Sequence, residues 1–280
     1  MTAKEFHNQM RTTGAYVTPP DMRPVRPAQA GFITTWRYHW GVFRFLWRGS
    51  RLAHHGAFDS AAWMDVAFGI MQVAEKLGTV VTFENFAPCA AVPGPVVYAA
   101  NHMSELETYV LPAALMAYSK DGVGIVLKGS LRNYPVFGVT SRAINPIVVS
   151  RHKAREDQRQ VLEQGKAQLA AGRSVLLFPQ GTRSAVFNPA QFNSLATKLA
   201  QAAGVPLVPV ALRTDMVGLG KVVRDFGVVD PERPVFFAAG NPIPAKTPAR
   251  EMRQQCVEFI TARLTAWGAP VAKAVEKTEA

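Results

Sequence analysis

Short apolar runs alternate with amphipathic stretches along most of the chain, beginning near residue 79. The apolar runs are four to eight residues long and rich in valine, leucine and phenylalanine, which is typical of buried strands. The stretches between them carry apolar residues at helical spacing. This regular exchange predicts an α/β fold with a mostly parallel central sheet flanked by helices. The predicted strands cover residues 80–83, 95–100, 124–127, 144–149, 174–178, 205–212 and 234–239, and the predicted helices cover 105–119, 152–171, 190–203 and 248–267.

The N-terminal region differs from this pattern. Residues 1–30 contain four prolines among polar residues, which predicts an irregular arm. Two amphipathic helices are predicted to follow it, at residues 31–51 and 61–77.

The first of these helices combines aromatic and basic side chains in two adjacent stripes. Indole rings beside guanidinium groups are typical of a bilayer interface, where rings sit among the headgroups and arginines meet lipid phosphates. The alternative is a core-packing helix whose arginines extend to water. The stripes comprise Trp36, Trp40, Phe43 and Trp47, and Arg37, Arg44 and Arg48.

These patterns divide the chain into four parts. Residues 1–30 form the arm, 31–78 an N-terminal helical membrane-interface segment, 79–270 the main domain and 271–280 a tail.

Composition and charge narrow the class of protein. The 280-residue chain is 48% hydrophobic and 18% charged, which favours a folded domain with a sizeable core over disorder. It carries 31 lysines and arginines against 20 acidic residues, a formal charge of +11. This excess favours a polyanionic partner, such as a phospholipid surface, a phosphorylated substrate, an acidic carrier protein or nucleic acid.

The sequence contains no apolar run of 18 or more residues and no secretory signal, so we expect any membrane contact to be peripheral. The two cysteines, Cys89 and Cys256, lie far apart and imply no disulfide framework. A reduced compartment is therefore expected, and with it a peripheral location on the cytoplasmic face of a membrane.

The segment NHMSELE places reactive side chains at the end of a predicted strand. His102 comes just before a helix and Glu107 lies in its first turn, so the carboxylate can reach one imidazole nitrogen and leave the other open. A histidine oriented in this way is a general base for a substrate hydroxyl. Ser104 and Glu107 also match a helix capping box, which is a purely structural alternative. Glu105 is the competing carboxylate, and we expect it to point elsewhere.

A second cluster follows another predicted strand, in the segment FPQGTRS. Gly181 permits a tight turn, Thr182 offers a hydroxyl, and Arg183 offers a planar guanidinium suited to a phosphate. Lys128 and Arg151 stand at the ends of two further apolar runs. Because functional groups gather at the carboxyl ends of strands in such folds, we expect these cations and the histidine to converge on one edge.

These motifs resemble those of the glycerolipid acyltransferase family, in particular the 1-acylglycerol-3-phosphate (lysophosphatidic acid) acyltransferases. NHMSELE is similar to the family's His-x4-Asp motif, and FPQGTRS to its Phe-Pro-Glu-Gly-Thr-Arg-Ser motif. The strand before Arg151 resembles the intervening motif that ends in arginine, and VPLVPVAL resembles the Val-Pro-x-x-Pro-Val block. The four motifs occur in the family's order and cover residues 80–245.

The resemblance implies an α/β acyltransferase of phospholipid biosynthesis, without a metal, a bound cofactor or a covalent acyl-enzyme. It implies that His102 is the general base and that Glu107 orients it, while an acceptor hydroxyl attacks the thioester of acyl-carrier protein or acyl-CoA. The implied acceptor is a lysophospholipid, above all 1-acylglycerol 3-phosphate, on an anionic membrane surface, and no nucleic acid is expected. The implied substrate-binding residues are Lys128, Arg151, Gln180, Gly181, Thr182 and Arg183.

The sequence departs from the family pattern at two positions. Glu107 stands where the family more often has Asp, and its longer side chain still reaches the imidazole, so we expect activity. Gln180 stands where the family usually has Glu, and it keeps one acceptor while losing the negative charge. We expect this neutral side chain to leave Arg183 less compensated, and to alter acceptor preference more than the reaction.

Other functions stay open on the sequence alone. The acceptor is undecided between 1-acylglycerol 3-phosphate, glycerol 3-phosphate and another lysolipid. A serine hydrolase is disfavoured because Gly-x-Ser-x-Gly is absent. A metalloenzyme is disfavoured because His54, His55 and His152 are isolated and His-Glu-x-x-His is absent. The alternative to an enzyme is a non-catalytic membrane- or nucleic-acid-binding protein on the same scaffold.

Overall fold

The computed structural model describes residues 1–119, 121–150, 152–220, 224 and 226–272. Eight strands in this part of the chain form a single sheet. They are β1 (Tyr16–Val17), β2 (Val81–Glu84), β3 (Val97–Ala100), β4 (Val123–Lys128), β5 (Ile147–Val149), β6 (Ser174–Leu177), β7 (Leu207–Arg213) and β8 (Val235–Ala239).

The order of strands across the sheet is β1-β2-β8-β7-β3-β6-β4-β5. Neighbouring strands are parallel, except that β1 pairs antiparallel with β2 and β7 pairs antiparallel with β8. The strands β7, β3, β6, β4 and β5 therefore run in the same direction. This confirms the predicted α/β fold with a mostly parallel sheet, and every predicted strand corresponds to one in the structure.

The helices form two groups. Helices α7, α8 and α9 contact strands from β3 to β7, whereas α1, α2, α3, α5 and α6 pack mainly against one another. All residues of β3 and β6 are buried, as expected for central strands covered on both faces. The helices are α1 (Ala3–Thr13), α2 (Phe32–His54), α3 (Ser60–Lys76), α4 (Ala87–Ala90), α5 (Leu106–Leu115), α6 (Phe137–Ala143), α7 (Ala154–Ala170), α8 (Leu195–Ala203) and α9 (Ala249–Ala266).

The first 30 residues are more ordered than the sequence predicted. Thr2 and Glu5 form a capping box at the start of α1, and Phe6 and Met10 are fully buried on one face of the helix. Tyr16 then joins the sheet through β1. The four prolines follow this strand, so they mark an irregular segment only after residue 17.

Helix α8 begins later than predicted. Asn188 accepts a hydrogen bond from the Ala190 N–H at 3.0 Å, which caps a short 3₁₀ turn, Pro189–Gln191, and not an α-helix. Asn193 then accepts from the Leu195 N–H at 2.9 Å, where the α-helix starts. Two asparagines with local caps therefore shift the helix start.

The aromatic stripe of α2 faces away from the core. Trp36, Trp40, Phe43 and Trp47 are each 42–57% exposed, and the opposite face buries Tyr38. The first three rings of the stripe stack on one another, at centroid distances of 6.0 Å for Trp36–Trp40 and 5.5 Å for Trp40–Phe43. The core-packing alternative for this stripe is therefore wrong. In the described part of the chain, no helix is long and apolar enough to cross a membrane.

Glu75 is a fully buried carboxyl in α3. The Tyr16 hydroxyl donates to its Oε1 atom at 2.6 Å, and the Thr18 hydroxyl donates at 2.8 Å. The second oxygen, Oε2, has no hydrogen-bond partner among the described residues. Burial raises the pKa of this carboxyl above its usual value, against the opposing effect of the two hydroxyl donors.

We expect Glu75→Gln to stabilise the protein at alkaline pH. A carboxyl with a raised pKa in the folded state is stable when protonated, so ionisation destabilises the fold as the pH rises from the unfolded pKa through the folded one. The variant should melt about 2–4 °C above wild type near pH 8, with a smaller difference near pH 5, as measured by calorimetry. Glu163→Gln, at an exposed site, is the control. A lower melting temperature of Glu75→Gln at alkaline pH would contradict this assignment.

Candidate active site

The carboxyl ends of five neighbouring parallel strands lie at one edge of the sheet. In spatial order, the residues at these ends are Thr214 after β7, His102 after β3, the turn 179–184 after β6, Lys128 at the end of β4 and Ser150 after β5. The strand ends that were expected to converge thus do share an edge. Arg151, predicted to contribute a cation here, lies outside the described residues.

His102, in the loop after β3, and Glu107, in the first turn of α5, form a buried pair. The distance between His102 Nδ1 and Glu107 Oε1 is 2.9 Å, and Glu107 is completely buried. Because a carboxylate only accepts, Nδ1 carries the proton and donates it. The other ring nitrogen, Nε2, has no hydrogen-bond partner among the described residues. It is therefore available as an acceptor when the ring is neutral.

The Glu107 carboxylate also completes the start of the helix. It accepts from the Met103 N–H at 2.7 Å and from the Ser104 N–H at 2.9 Å. The hydroxyls of Ser104 and Thr214 contact its Oε2 atom at 2.8 Å and 2.6 Å. Half of the predicted capping box is therefore present, since the carboxylate accepts from the Ser104 N–H. The Ser104 hydroxyl accepts from the Leu106 N–H instead of the Glu107 N–H, and the N-cap position of α5 is Glu105.

Burial by itself raises the pKa of the Glu107 carboxyl. The hydrogen bond and charge of His102, followed by the donors from Thr214 and the backbone, outweigh it and hold the pKa below its usual value. Glu107 is therefore an ionised hydrogen-bond acceptor at neutral pH.

Several contacts fix the backbone on either side of the histidine. Asn101 exchanges two hydrogen bonds with the Leu212 backbone in β7, each of 2.8 Å. The His102 N–H donates to Gln180 Oε1 at 2.8 Å, and the His102 carbonyl accepts from the Ser184 N–H at 2.9 Å. Residues 101–102 are therefore tied to β7 on one side and to the turn that follows β6 on the other.

Phe178, at the end of β6, packs flat on the imidazole of His102. The ring centroids are 4.2 Å apart and the planes differ by 21°. This contact limits rotation of the imidazole about χ2, so the orientation of Nε2 is set by packing as well as by Glu107.

The FPQGTRS segment forms a tight turn beside the histidine. Gly181 has a φ of +72°, a left-handed conformation that favours glycine, and its N–H bonds to the Phe178 carbonyl at 2.9 Å. Thr182 is exposed and Arg183 is half-buried. The Arg183 carbonyl accepts from the guanidinium of Arg224 at 2.7 Å.

Two further predicted residues have distinct surroundings. Lys128 is half-buried at the end of β4, and its ammonium makes no hydrogen bond or ion pair with the described residues. Glu105 points away from His102, since its carboxylate lies 3.5 Å from Nδ1 of His39 in α2. The expectation that Glu105 does not compete for the histidine is confirmed.

Two residues that contact the pair, Thr214 and Phe178, were not predicted as site residues. Thr214 is the first residue after β7, and β7 is the neighbour of β3, which precedes His102. A polar residue directly after an apolar strand is the feature of the sequence that could have indicated Thr214 as a site residue. Phe178 resembled an ordinary core residue. Among the described residues, no group of three or more His, Cys, Asp or Glu side chains could hold a metal ion.

The Acyltransferase family model matches residues 64–213, which is more than half of the chain. The chain belongs to the Acyltransferase family. The match includes the strands and loops that carry the His102–Glu107 pair, the FPQGTRS turn and Lys128.

This acyltransferase is similar to curated proteins over part of its length. A 1-acyl-sn-glycerol-3-phosphate acyltransferase from Pseudomonas aeruginosa is 34% identical over 117 residues, 42% of this chain and 44% of the relative. A lyso-ornithine lipid O-acyltransferase from Rhizobium meliloti is 33% identical over 90 residues, 32% of this chain and 28% of the relative. In these matches the acyltransferase spans less than half of the relatives' length.

A solved structure has the same fold. The crystal structure of the 1-acyl-sn-glycerophosphate acyltransferase PlsC from Thermotoga maritima superposes with a TM-score of 0.61 at 19% identity. The match covers 86% of the acyltransferase and 97% of that chain.

Proposed function

We propose that the protein transfers a fatty acyl group from acyl-CoA or acyl-carrier protein to the hydroxyl of a lysophospholipid, with 1-acylglycerol 3-phosphate as preferred acceptor. The observation that carries this proposal is the buried His102–Glu107 pair. The Nε2 atom of His102 has no hydrogen-bond partner among the described residues, and the same edge of the sheet also presents cations. Family membership supports acyl transfer as the reaction.

His102 performs the proton transfers. Nε2 accepts the proton of the acceptor hydroxyl while that oxygen attacks the thioester carbonyl carbon. When the tetrahedral intermediate collapses, the carbon–sulfur bond breaks and the imidazolium returns the proton to the departing thiolate. Glu107 holds Nδ1–H throughout and stabilises the imidazolium.

The neighbouring strand ends hold the acceptor phosphate. Neighbouring strands lie about 4.8 Å apart, so the Arg183 turn is one strand from His102 and Lys128 is two strands away. Gly181 and Thr182 bring backbone and hydroxyl groups to the same turn, and we assign Arg151 to this phosphate group on the sequence motif. Such spacing suits a small phosphorylated acceptor whose reacting hydroxyl lies beside the histidine.

A small apolar cavity of about 40 Å³ lies beside α5, and this volume is too small for an acyl chain. It is lined by residues of α2, α3, α5, α6 and β4, which include Trp63, Tyr109 and Phe137. Tyr109 follows Glu107 by two residues in α5, so the cavity adjoins the helix that carries the catalytic carboxylate.

A panel of donors and acceptors tests the proposed function. The purified protein is incubated with acyl-CoA or acyl-carrier protein and with lysophosphatidate, glycerol 3-phosphate, lyso-ornithine lipid or lysophosphatidylcholine, and mass spectrometry identifies the products. We expect phosphatidate to form fastest. Transfer to another acceptor would correct the substrate, and the absence of transfer to any acceptor would overturn the enzyme assignment.

We assign α2 to docking on an anionic membrane surface at the cytoplasmic face. Its exposed aromatic stripe lies beside the exposed Arg37, Arg44 and Arg48. The stripe supplies apolar rings for the headgroup region, and the arginines supply charge for lipid phosphates.

Replacement of Trp36, Trp40 and Trp47 by serine is expected to weaken binding to anionic vesicles by at least about 10-fold, because the exposed rings no longer insert. Co-sedimentation with phosphatidylglycerol vesicles measures this. The matched control is Tyr134→Ser, because Tyr134 is an aromatic residue outside α2 that is 47% exposed. Equal sedimentation of the triple variant and wild type would exclude the stripe as the docking surface.

Gln180 lies in the FPQGTRS turn and hydrogen-bonds to the backbone of His102. Its Oε1 atom accepts from the His102 N–H, and its Nε2 atom is buried without a partner among the described residues. A nitrogen in place of Oε1 would face another donor, so the amide orientation is fixed by chemistry. We therefore propose that Gln180 acts mainly through the backbone of His102.

Two substitutions separate the effects of hydrogen bonding and charge at position 180. Gln180→Met removes the acceptor and should lower kcat about 10-fold, because a buried N–H loses its partner. Gln180→Glu keeps the acceptor and adds a negative charge near Arg183, so it should preserve kcat and raise KM for phosphate-bearing acceptors. An unaltered acceptor profile in Gln180→Glu would rule out the effect on selectivity.

A further inference from the structure

Thr214 is fully buried at the end of β7, next to the strand that carries His102. Its hydroxyl lies 2.6 Å from Glu107 Oε2 and 3.0 Å from the Ser104 hydroxyl. The Glu107 carboxylate is ionised and only accepts, so the short contact requires Thr214 to donate its proton to Oε2.

The remaining donors to this carboxylate come from residues 102–104, in the loop that precedes α5. They are the ring of His102, the backbone of Met103 and the backbone and hydroxyl of Ser104. Among the described residues, Thr214 is the one donor from another strand. The loop donors are close neighbours of Glu107 in sequence, whereas Thr214 ties the carboxylate to the end of β7.

The hydrogen bonds of the Ser104 and Thr214 hydroxyls determine which oxygen receives the Thr214 proton. The Ser104 hydroxyl accepts from the Leu106 N–H at 3.1 Å and has one proton to donate, to Glu107 or to Thr214. Either choice leaves the proton of Thr214 directed at Oε2. Because the site is sealed from solvent, water does not replace this donor unless the packing opens.

We propose that Thr214 is a positioning residue for the acyl transfer, whose hydroxyl holds the Glu107 carboxylate in the rotamer that receives Nδ1–H of His102. This role rests on the proposed function. Without the hydroxyl, Oε2 loses its tie to the end of β7 and the Glu107 side chain is free to rotate at the start of α5. His102 then directs Nε2 less accurately at the acceptor hydroxyl, which slows the chemical step and leaves substrate binding in place.

The test compares Thr214→Val, which keeps the shape and removes the hydroxyl, with Thr214→Ser, which keeps the hydroxyl. We expect kcat to fall about 10-fold or more in the valine variant with KM for both substrates within about 2-fold of wild type. The serine variant should retain kcat within about 3-fold. Thr197→Val, at another buried threonine whose hydroxyl bonds to a helix carbonyl, should leave kcat unchanged.

Proton NMR tests the positioning role of Thr214 independently of the kinetic assay. The Nδ1–H proton of His102, in its hydrogen bond to Glu107, should give a downfield proton NMR signal that shifts or broadens in Thr214→Val and persists in Thr214→Ser. Thr214→Ala replaces the valine variant in both measurements if the latter does not fold.

The outcomes are distinct. Equal kcat in the valine variant and wild type, or an equal loss in the valine and serine variants, would overturn the role of Thr214. If wild type transfers no acyl group, the proposed function fails, and the NMR comparison still decides whether Thr214 holds the pair.

Discussion

Replacement of His102 by alanine is expected to lower kcat by about 10²–10⁴-fold without preventing substrate binding. The variant loses the group that accepts the hydroxyl proton and later returns it to the thiolate. Lys128 and Arg183, the cations proposed to bind the acceptor phosphate, are retained. Acyl transfer to lysophosphatidate under saturating donor measures this, with mass spectrometric detection of the product.

The matched control is His55→Ala, at an exposed histidine just after α2. Its turnover should equal that of wild type. Circular dichroism of His102→Ala should show the native fold, although the variant should melt below wild type because the buried Glu107 carboxylate loses its imidazole partner. Unchanged turnover in His102→Ala would exclude this residue as the base.

Replacement of Glu107 by glutamine is expected to lower kcat by at least about 10²-fold, and by up to about 10⁴-fold if the wrong tautomer of His102 results. The loop donors and the Thr214 hydroxyl all direct protons at the carboxylate. An amide nitrogen in this place faces donors, so the side chain turns and no longer fixes Nδ1–H. Steady-state kinetics should show the loss in kcat.

A double variant decides whether the two residues act as one unit. Because Glu107 is proposed to act through His102, Glu107→Gln should cost little more in a His102→Ala background. If the fold-losses in kcat of the two single variants multiply in the double variant, Glu107 acts on the substrate by a route that does not involve His102. Glu105→Gln is the control for local charge, since that carboxylate faces His39 and not His102.

Much of the candidate site was predictable because its parts are local in sequence. His102 and Glu107 are five residues apart, so a strand end and one helical turn suffice to join them. The convergence of Lys128 and the Arg183 turn with His102 followed from one rule, that parallel strands end at a common edge.

The partners of these residues were not predictable in the same way. Thr214 reaches Glu107 across 107 residues of sequence, and Gln180 reaches His102 across 78. Each contact depends on which strands are neighbours, and the order β7-β3-β6 differs from their order along the chain. A pattern of apolar runs contains no information on that order, so Gln180 was assigned to the substrate and Thr214 was not noticed.

Sequence by itself determined the elements of this protein, the local His102–Glu107 pair and the family motifs, because hydrophobic period and short spacing act over a few residues. Only the tertiary structure decided the environment of each element. Helical spacing placed the tryptophans of α2 on one stripe, but packing against α3 decided that the stripe faces solvent. The same physical reason applies to the N-terminal residues, where Phe6 and Tyr16 became ordered because the rest of the fold offered them a core.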